Sequence, residues 1–132
     1  MARTSLHQTA VRGSQDRVRQ TIDEGYDVNE TDADGLTPLH MAAINKNYNA
    51  AKALLEAGAR VDVQDKWGNT PLWRAVFGTD STVDLVELLV DHGADPAVEN
   101  NSGNSPLKLA QRLLKNDYLS VFGKRNGPMK LA

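Results

Sequence analysis

The 132-residue sequence has no cysteine, which excludes a disulfide scaffold, a thiolate zinc site and a cysteine nucleophile. Aromatic residues are scarce at 5%, and no interleaved basic–aromatic pattern or known reader motif points to nucleic acid. The formal net charge is only −2, so no global positive field attracts nucleic acid or an anionic membrane. No stretch approaches the roughly 18 consecutive apolar residues of a membrane span, and the opening MARTSLHQTAVRGSQ has no apolar core of a signal peptide. Arg3 and Arg12 among Ser and Thr have the flavour of a transit peptide, but Asp16, Asp23 and Glu24 follow at once.

Histidine is limited to His7, His40 and His92, with no pair at i, i+4 or other metal-ligand spacing. The glycines form neither GxGxxG nor GxxxxGK, and no Ser or Asp sits in a nucleophile motif. Asp80, Asp84 and Glu87 are most simply a solvated face. What is present is ordinary globular usage, 40% hydrophobic and 24% charged, which excludes wholesale disorder and fits one compact domain. The expectation is a cytoplasmic, non-enzymatic protein without cofactor or metal.

Self-comparison shows an internal repeat. Thr37-Pro38-Leu39-His40 returns as Thr70-Pro71-Leu72-Trp73 and Ser105-Pro106-Leu107-Lys108, with a weaker copy in Thr4-Ser5-Leu6-His7. The spacings are 33, 33 and 35 residues between positions 4, 37, 70 and 105. Gly25 and Gly58 stand 21 residues after Thr4 and Thr37, whereas Gly93 stands 23 after Thr70. Two residues are therefore inserted between Trp73 and Gly93.

Each part of the unit has a mechanical role. Asp34-Gly35, Trp67-Gly68 and Ser102-Gly103 place a glycine where a tight turn needs φ > 0. The following Thr or Ser with Pro predicts a helix start, with the hydroxyl as N-cap and Pro in the first helical position. A short helix carries Leu39, Ala42 and Ala43, matched by Leu72, Ala75 and Val76. A second helix aligns Val18, Ala51, Val86 and Leu119, then Thr21, Leu54, Leu89 and Phe122, then Ile22, Leu55 and Val90. Gly25, Gly58 and Gly93 read as C′ residues closing that helix, with Asn126 in the same column.

The chain thereby resembles the ankyrin repeat family. The pattern is nearly complete in Gly35-Leu36-Thr37-Pro38-Leu39-His40-Met41-Ala42-Ala43 and Leu54-Leu55-Glu56-Ala57-Gly58-Ala59. Trp73 and Lys108 depart from it in the His column, and Lys46 replaces a usual glycine. The resemblance implies an all-α repeat solenoid, each unit a β-turn hairpin plus two antiparallel helices. It forms a single domain over 1–132, with units near 1–31, 32–64, 65–99 and 100–132, the outer two acting as caps. A lone unit cannot bury its apolar face, so stability comes from stacking.

The resemblance also implies that hairpin tips and the ends of first helices read a partner on a concave side. By register these are Ala33, Asp34, Leu36, Ile44 and Asn45 in the second unit. The third offers Lys66, Trp67, Asn69, Phe77 and Gly78, and the fourth Asn101, Ser102, Asn104, Arg112 and Leu113. Val11 and Arg12 match in the first. Trp67 is either an interface anchor or a ring lying flat on the next hairpin; Trp73 is expected to pack between units. The inserted segment 77–82 is either a binding element or a tolerated loop extension.

Charge is segregated. Asp80, Asp84, Glu87, Asp91, Asp95 and Glu99 form an acidic block, and Lys108, Arg112, Lys115, Lys124, Arg125 and Lys130 a basic one. Either the blocks neutralise each other across a unit junction, or a basic end meets an acidic partner. The chain reads as complete, with no room for an effector domain. It also resembles small stand-alone bacterial ankyrin proteins, some of them toxin immunity proteins, in its Ser-Pro-Leu-x-Leu-Ala and Asn116-Asp117-Tyr118. These features predict a module, monomeric when unbound, that blocks one protein partner and binds neither nucleic acid nor membrane; an adaptor joining two proteins is the rival, and an enzyme or small-molecule receptor, which would need a deep polar pocket, the distant alternative.

Overall fold

The computed structural model describes residues 5–78 and 82–126, the last three as backbone alone. Eight helices occur among the described residues, α1 Ser5–Arg12, α2 Gln15–Asp23, α3 Pro38–Ile44, α4 Tyr48–Glu56, α5 Pro71–Val76, α6 Val83–Asp91, α7 Pro106–Arg112 and α8 Asn116–Asn126. They fall into two rows. The first helices α1, α3, α5 and α7 pack side by side, the second helices α2, α4, α6 and α8 do likewise, and each unit joins one helix from each row. No β-strand occurs among the described residues.

The predicted caps form as expected. Thr37, Thr70 and Ser105 are extended, and their hydroxyls accept the backbone N–H of His40, Trp73 and Lys108, with Pro opening each helix. These bonds satisfy donors that every helix start leaves bare. The Thr4 equivalent lies outside the described residues. Gly25, Gly58 and Gly93 close α2, α4 and α6 with φ of 102°, 92° and 99°, the left-handed conformation of a C′ residue. Asn126 does not act this way: α8 continues through it and is 11 residues long, against 9 for α4.

Leu6, Leu39 and Leu72 recur at one position of the first row and are fully buried, while Ala10, Ala42, Ala43 and Ala75 let neighbouring helices approach. The second-helix columns Val18–Ala51–Val86 and Thr21–Leu54–Leu89–Phe122 are likewise buried. Each large side chain so buried stabilises the stack by about 1.5–3 kcal/mol.

The hairpins share one device. Asp32 Oδ1 accepts from the N–H of Asp34 and Leu36, Asp65 Oδ1 from Trp67 and Asn69, and Asn100 Oδ1 from Ser102 and Asn104, all within 3.0 Å. Successive hairpins then join through Lys66 N–H to the Asp34 carbonyl at 2.9 Å and Asn101 N–H to the Trp67 carbonyl at 3.0 Å. Gly68 permits the second junction: a Cβ there would lie 2.7 Å from Asn101 N.

Candidate functional site

Two junctions between units are closed by histidine. His7 Nε2 lies 2.7 Å from the Leu36 carbonyl and His40 Nε2 lies 2.8 Å from the Asn69 carbonyl, each in the following unit. The tautomer of His40 follows from its partners. A backbone N–H can only donate, so Nδ1 accepts from Thr37 N–H at 3.1 Å, and Nε2 carries the proton toward the carbonyl. His40 thus bonds within its own unit and also links to the next. Burial holds this imidazole below its ordinary pKa, against the raising pull of the Asn69 carbonyl and the Asp65 carboxylate.

The third junction is built differently. Trp73 holds the histidine position, and its Nε1 is buried with no hydrogen-bond partner among the described residues. An unmet buried donor costs about 1–3 kcal/mol. The indole instead stacks on Phe77, with centroids 4.9 Å apart and planes at 13°.

Around this point a cationic–aromatic cluster forms. The buried Asp65 carboxylate uses Oδ1 for its hairpin and Oδ2 for Arg74, which donates from Nε at 3.2 Å and Nη2 at 2.8 Å. So fixed, the Arg74 guanidinium lies 5.4 Å from the Trp67 ring centre and 5.7 Å from that of Trp73. Lys66 Nζ stands 4.6 Å from the Trp67 ring and 2.9 Å from an Asp34 oxygen. Trp67 has both cations within 6 Å of its ring centre and 45% of its surface exposed. Beside it opens a cleft of about 430 Å³ lined by Trp67, Asn69, Trp73, Arg74, Asn100, Asn101, Ser102 and Asn104.

The inserted segment begins at the end of α5. In the second and fourth units the helix passes through Asn45 and Leu113 near ψ of 4° and 3°, then turns left-handed at Lys46 (φ 56°) and Leu114 (φ 57°). In the third unit the chain leaves the helix at Phe77, which is extended at φ −70° and ψ 136°. The freed carbonyls are met from both sides. Lys46 Nζ donates to the carbonyls of Arg74, Ala75 and Phe77, and Lys115 Nζ to those of Val76 and Gly78. Thr82 also turns its hydroxyl to the Ala75 carbonyl at 2.8 Å and meets the Tyr118 hydroxyl at 3.0 Å. Phe77 is consequently held at the surface, 54% exposed. Residues 79–81 of the insertion lie outside the described residues.

The structure gathers Lys66, Trp67, Asn101, Ser102 and Asn104 around the cleft. Ile44, Phe77 and Leu113 are exposed at the ends of first helices, as are Asn45 and Arg112. Asp34 is half-exposed and paired with Lys66. Two expectations need correction. Leu36 is only 4% exposed and belongs to the core. Asn69 is 5% exposed, and its side-chain oxygen accepts from Asn100 Nδ2 at 2.8 Å. Both follow directly on the glycine of the turn, where the chain already heads inward to the helix.

Sequence reasoning missed Arg74 and Asn100, and it missed Leu114, which is 80% exposed. For Arg74 a signal existed: it lies nine residues after Asp65, the distance from hairpin to first helical turn within one unit. The charge blocks meet in part through Lys108 Nζ and Glu99 at 2.6 Å, while Lys115 turns to backbone carbonyls. Asp80 and Lys130 lie outside the described residues. Among the described residues no His, Asp and Glu group of three or more is placed to hold a metal ion, and no helix is long and apolar enough to cross a membrane.

Comparison with curated proteins returns no match. The family model described as ankyrin repeats (3 copies) matches residues 6–100, the first three units and the start of the fourth. Repeats of this kind generally serve as protein–protein interaction modules and are typically non-enzymatic. The capped helix pairs, the linked hairpins and this match over most of the chain make it a member of the ankyrin repeat family.

Proposed function

We propose that the chain is a non-catalytic module that engages one protein partner through its concave, hairpin-bearing side and acts by occupying it. The supporting observation is the cluster of exposed Trp67 and Phe77 with half-buried Trp73 and Arg74, whose members are held by their neighbours. Trp and Arg are the residues that most often dominate interface energetics, and a preordered side chain loses less entropy on binding. An interface of about 800 Å² on this side supports nanomolar binding. Neutralising a toxin is the specific form of blocking that the resemblance of the closing motifs favours.

Capture from the native host with the intact protein as bait, alongside the Trp67→Ala variant, tests the proposal. Trp67→Ala is expected to weaken the captured protein's binding by about 2 kcal/mol or more with the fold unchanged. Equal retention by both baits overturns the site. Titration then separates blocking from bridging: a blocker abolishes the partner's activity at one-to-one stoichiometry, whereas an adaptor leaves it intact and holds two proteins at once.

A further inference from the structure

We propose that the cleft between the third and fourth hairpins receives a carboxylate side chain, Asp or Glu, from a loop of the protein partner. The inference rests on the protein-binding reading above and adds the chemistry of what is bound. Its origin is the exchange of histidine for tryptophan: where the rings of His7 and His40 each bond to a backbone carbonyl of the next unit, the Trp73 indole makes no such bond.

Three features bear on what the cleft can receive. Its lining includes one cation, Arg74, and no carboxylate. Arg74 directs Nε and Nη2 to Asp65, leaving its Nη1 donors without an acceptor among the described residues. Trp73 also lines the cleft, its unpartnered indole N–H buried beneath the surface, and Lys66 stands at the rim over Trp67. The two carboxylates nearby are already engaged, Asp65 by Arg74 and Asp34 by Lys66. Each nearby cation is thus paired once, but Arg74 keeps its Nη1 donors free beside the rings of Trp67 and Trp73, and a guanidinium is a poorly hydrated cation to which a carboxylate bonds strongly. A volume of about 430 Å³ exceeds one carboxylate; the remaining space, edged by Asn101, Ser102 and Asn104, suits the backbone amides beside it.

The chain has two tryptophans, so its ¹⁵N spectrum contains two indole resonances, assignable with Trp67→Phe. The probes are acetyl-Gly-Glu-Gly-amide, the Gln and Lys analogues, and inorganic phosphate. The Glu peptide is expected to move the Trp73 resonance along a saturable millimolar curve. The Gln peptide and the Lys66→Gln variant are each expected to weaken that response roughly fivefold, the scale of one exposed ion pair. No saturable response, or an equal response to Glu and Gln, overturns the proposal. Phosphate binding as tightly as the Glu peptide overturns the carboxylate assignment in favour of an unselective anion site. The two proposals fail separately. A captured partner sensitive to Trp67→Ala, with Glu and Gln peptides binding alike, removes the carboxylate and keeps the module. A selective Glu response with Trp67→Ala silent toward every captured protein does the reverse.

Discussion

The second and third units share one sequence pattern and use it for opposite ends. In the second, His40 is buried and ties Thr37 to the next unit, and the helix ends in a regular turn. In the third, the same position holds Trp73, which stacks outward on Phe77, leaves its own donor unmet and borders an open cleft. The third unit also contains the insertion, supported by Lys46 from one neighbour and Lys115 from the other. The lesson is that a repeat whose neighbours are closely packed tolerates one irregular unit, because stability in a stacked array is a sum over units and junctions. The irregular unit exposes what the regular one hides.

That contrast makes its largest prediction at the histidine. His40→Ala removes a buried ring, leaves Thr37 N–H unmet and takes one of two donors from the Asn69 carbonyl, which keeps Asp65 N–H, so a loss of about 3 kcal/mol is expected in denaturant unfolding. A loss below about 1 kcal/mol means the junction is held by other contacts. Gly58→Val, at φ of 92° with open space around its Cβ, is expected to destabilise by about 2 kcal/mol through backbone strain alone; unchanged melting contradicts the C′ assignment.

Lys46 tests how the insertion is held. Lys46→Met keeps the left-handed strain and loses the ammonium, so about 1.5 kcal/mol of destabilisation is expected. Lys46→Gly loses the same bonds but relieves about 1 kcal/mol of strain, and should melt above Lys46→Met. The reverse order means that the aliphatic stem matters more than the turn.

Trp73→His sharpens the comparison further. It offers the third junction a ring of the size that closes the other two, and it should change stability by about 1 kcal/mol or less. A larger loss shows that stacking on Phe77 holds the unit together.

The smallest effect is in pH. His40 has its pKa lowered from 6.5 by burial, so the unfolded chain takes up the proton first as pH falls. Its contribution is complete above 6.5 and is lost as pH drops below that value toward the folded pKa. Thermal melting across this window should fall with acid in the parent and lose that slope in His40→Gln.

Much of this was legible in the chain. Thr37, Thr70 and Ser105 before proline marked helix starts, and Gly25, Gly58 and Gly93 marked helix ends, because these are local demands of the backbone that no distant residue alters. Trp67 and Phe77 were marked by register alone, and both are exposed. Leu36 and Asn69 were misplaced because register fixes position along the repeat but not which way a side chain turns at the edge of the core.

The sequence by itself determined the caps and the glycine turns, which depend on residues a few positions apart, and the period and the place of the insertion, which show as soon as one unit is compared with the next. Only the tertiary structure decided that Arg74 is drawn to Asp65 and set between two tryptophans, and that Lys46 and Lys115 converge on one helix end. It also decided that Trp73, standing in the histidine position, borders a cleft. Those arrangements join side chains from different units, whose meeting depends on how the units stack and leaves no mark in any one repeat.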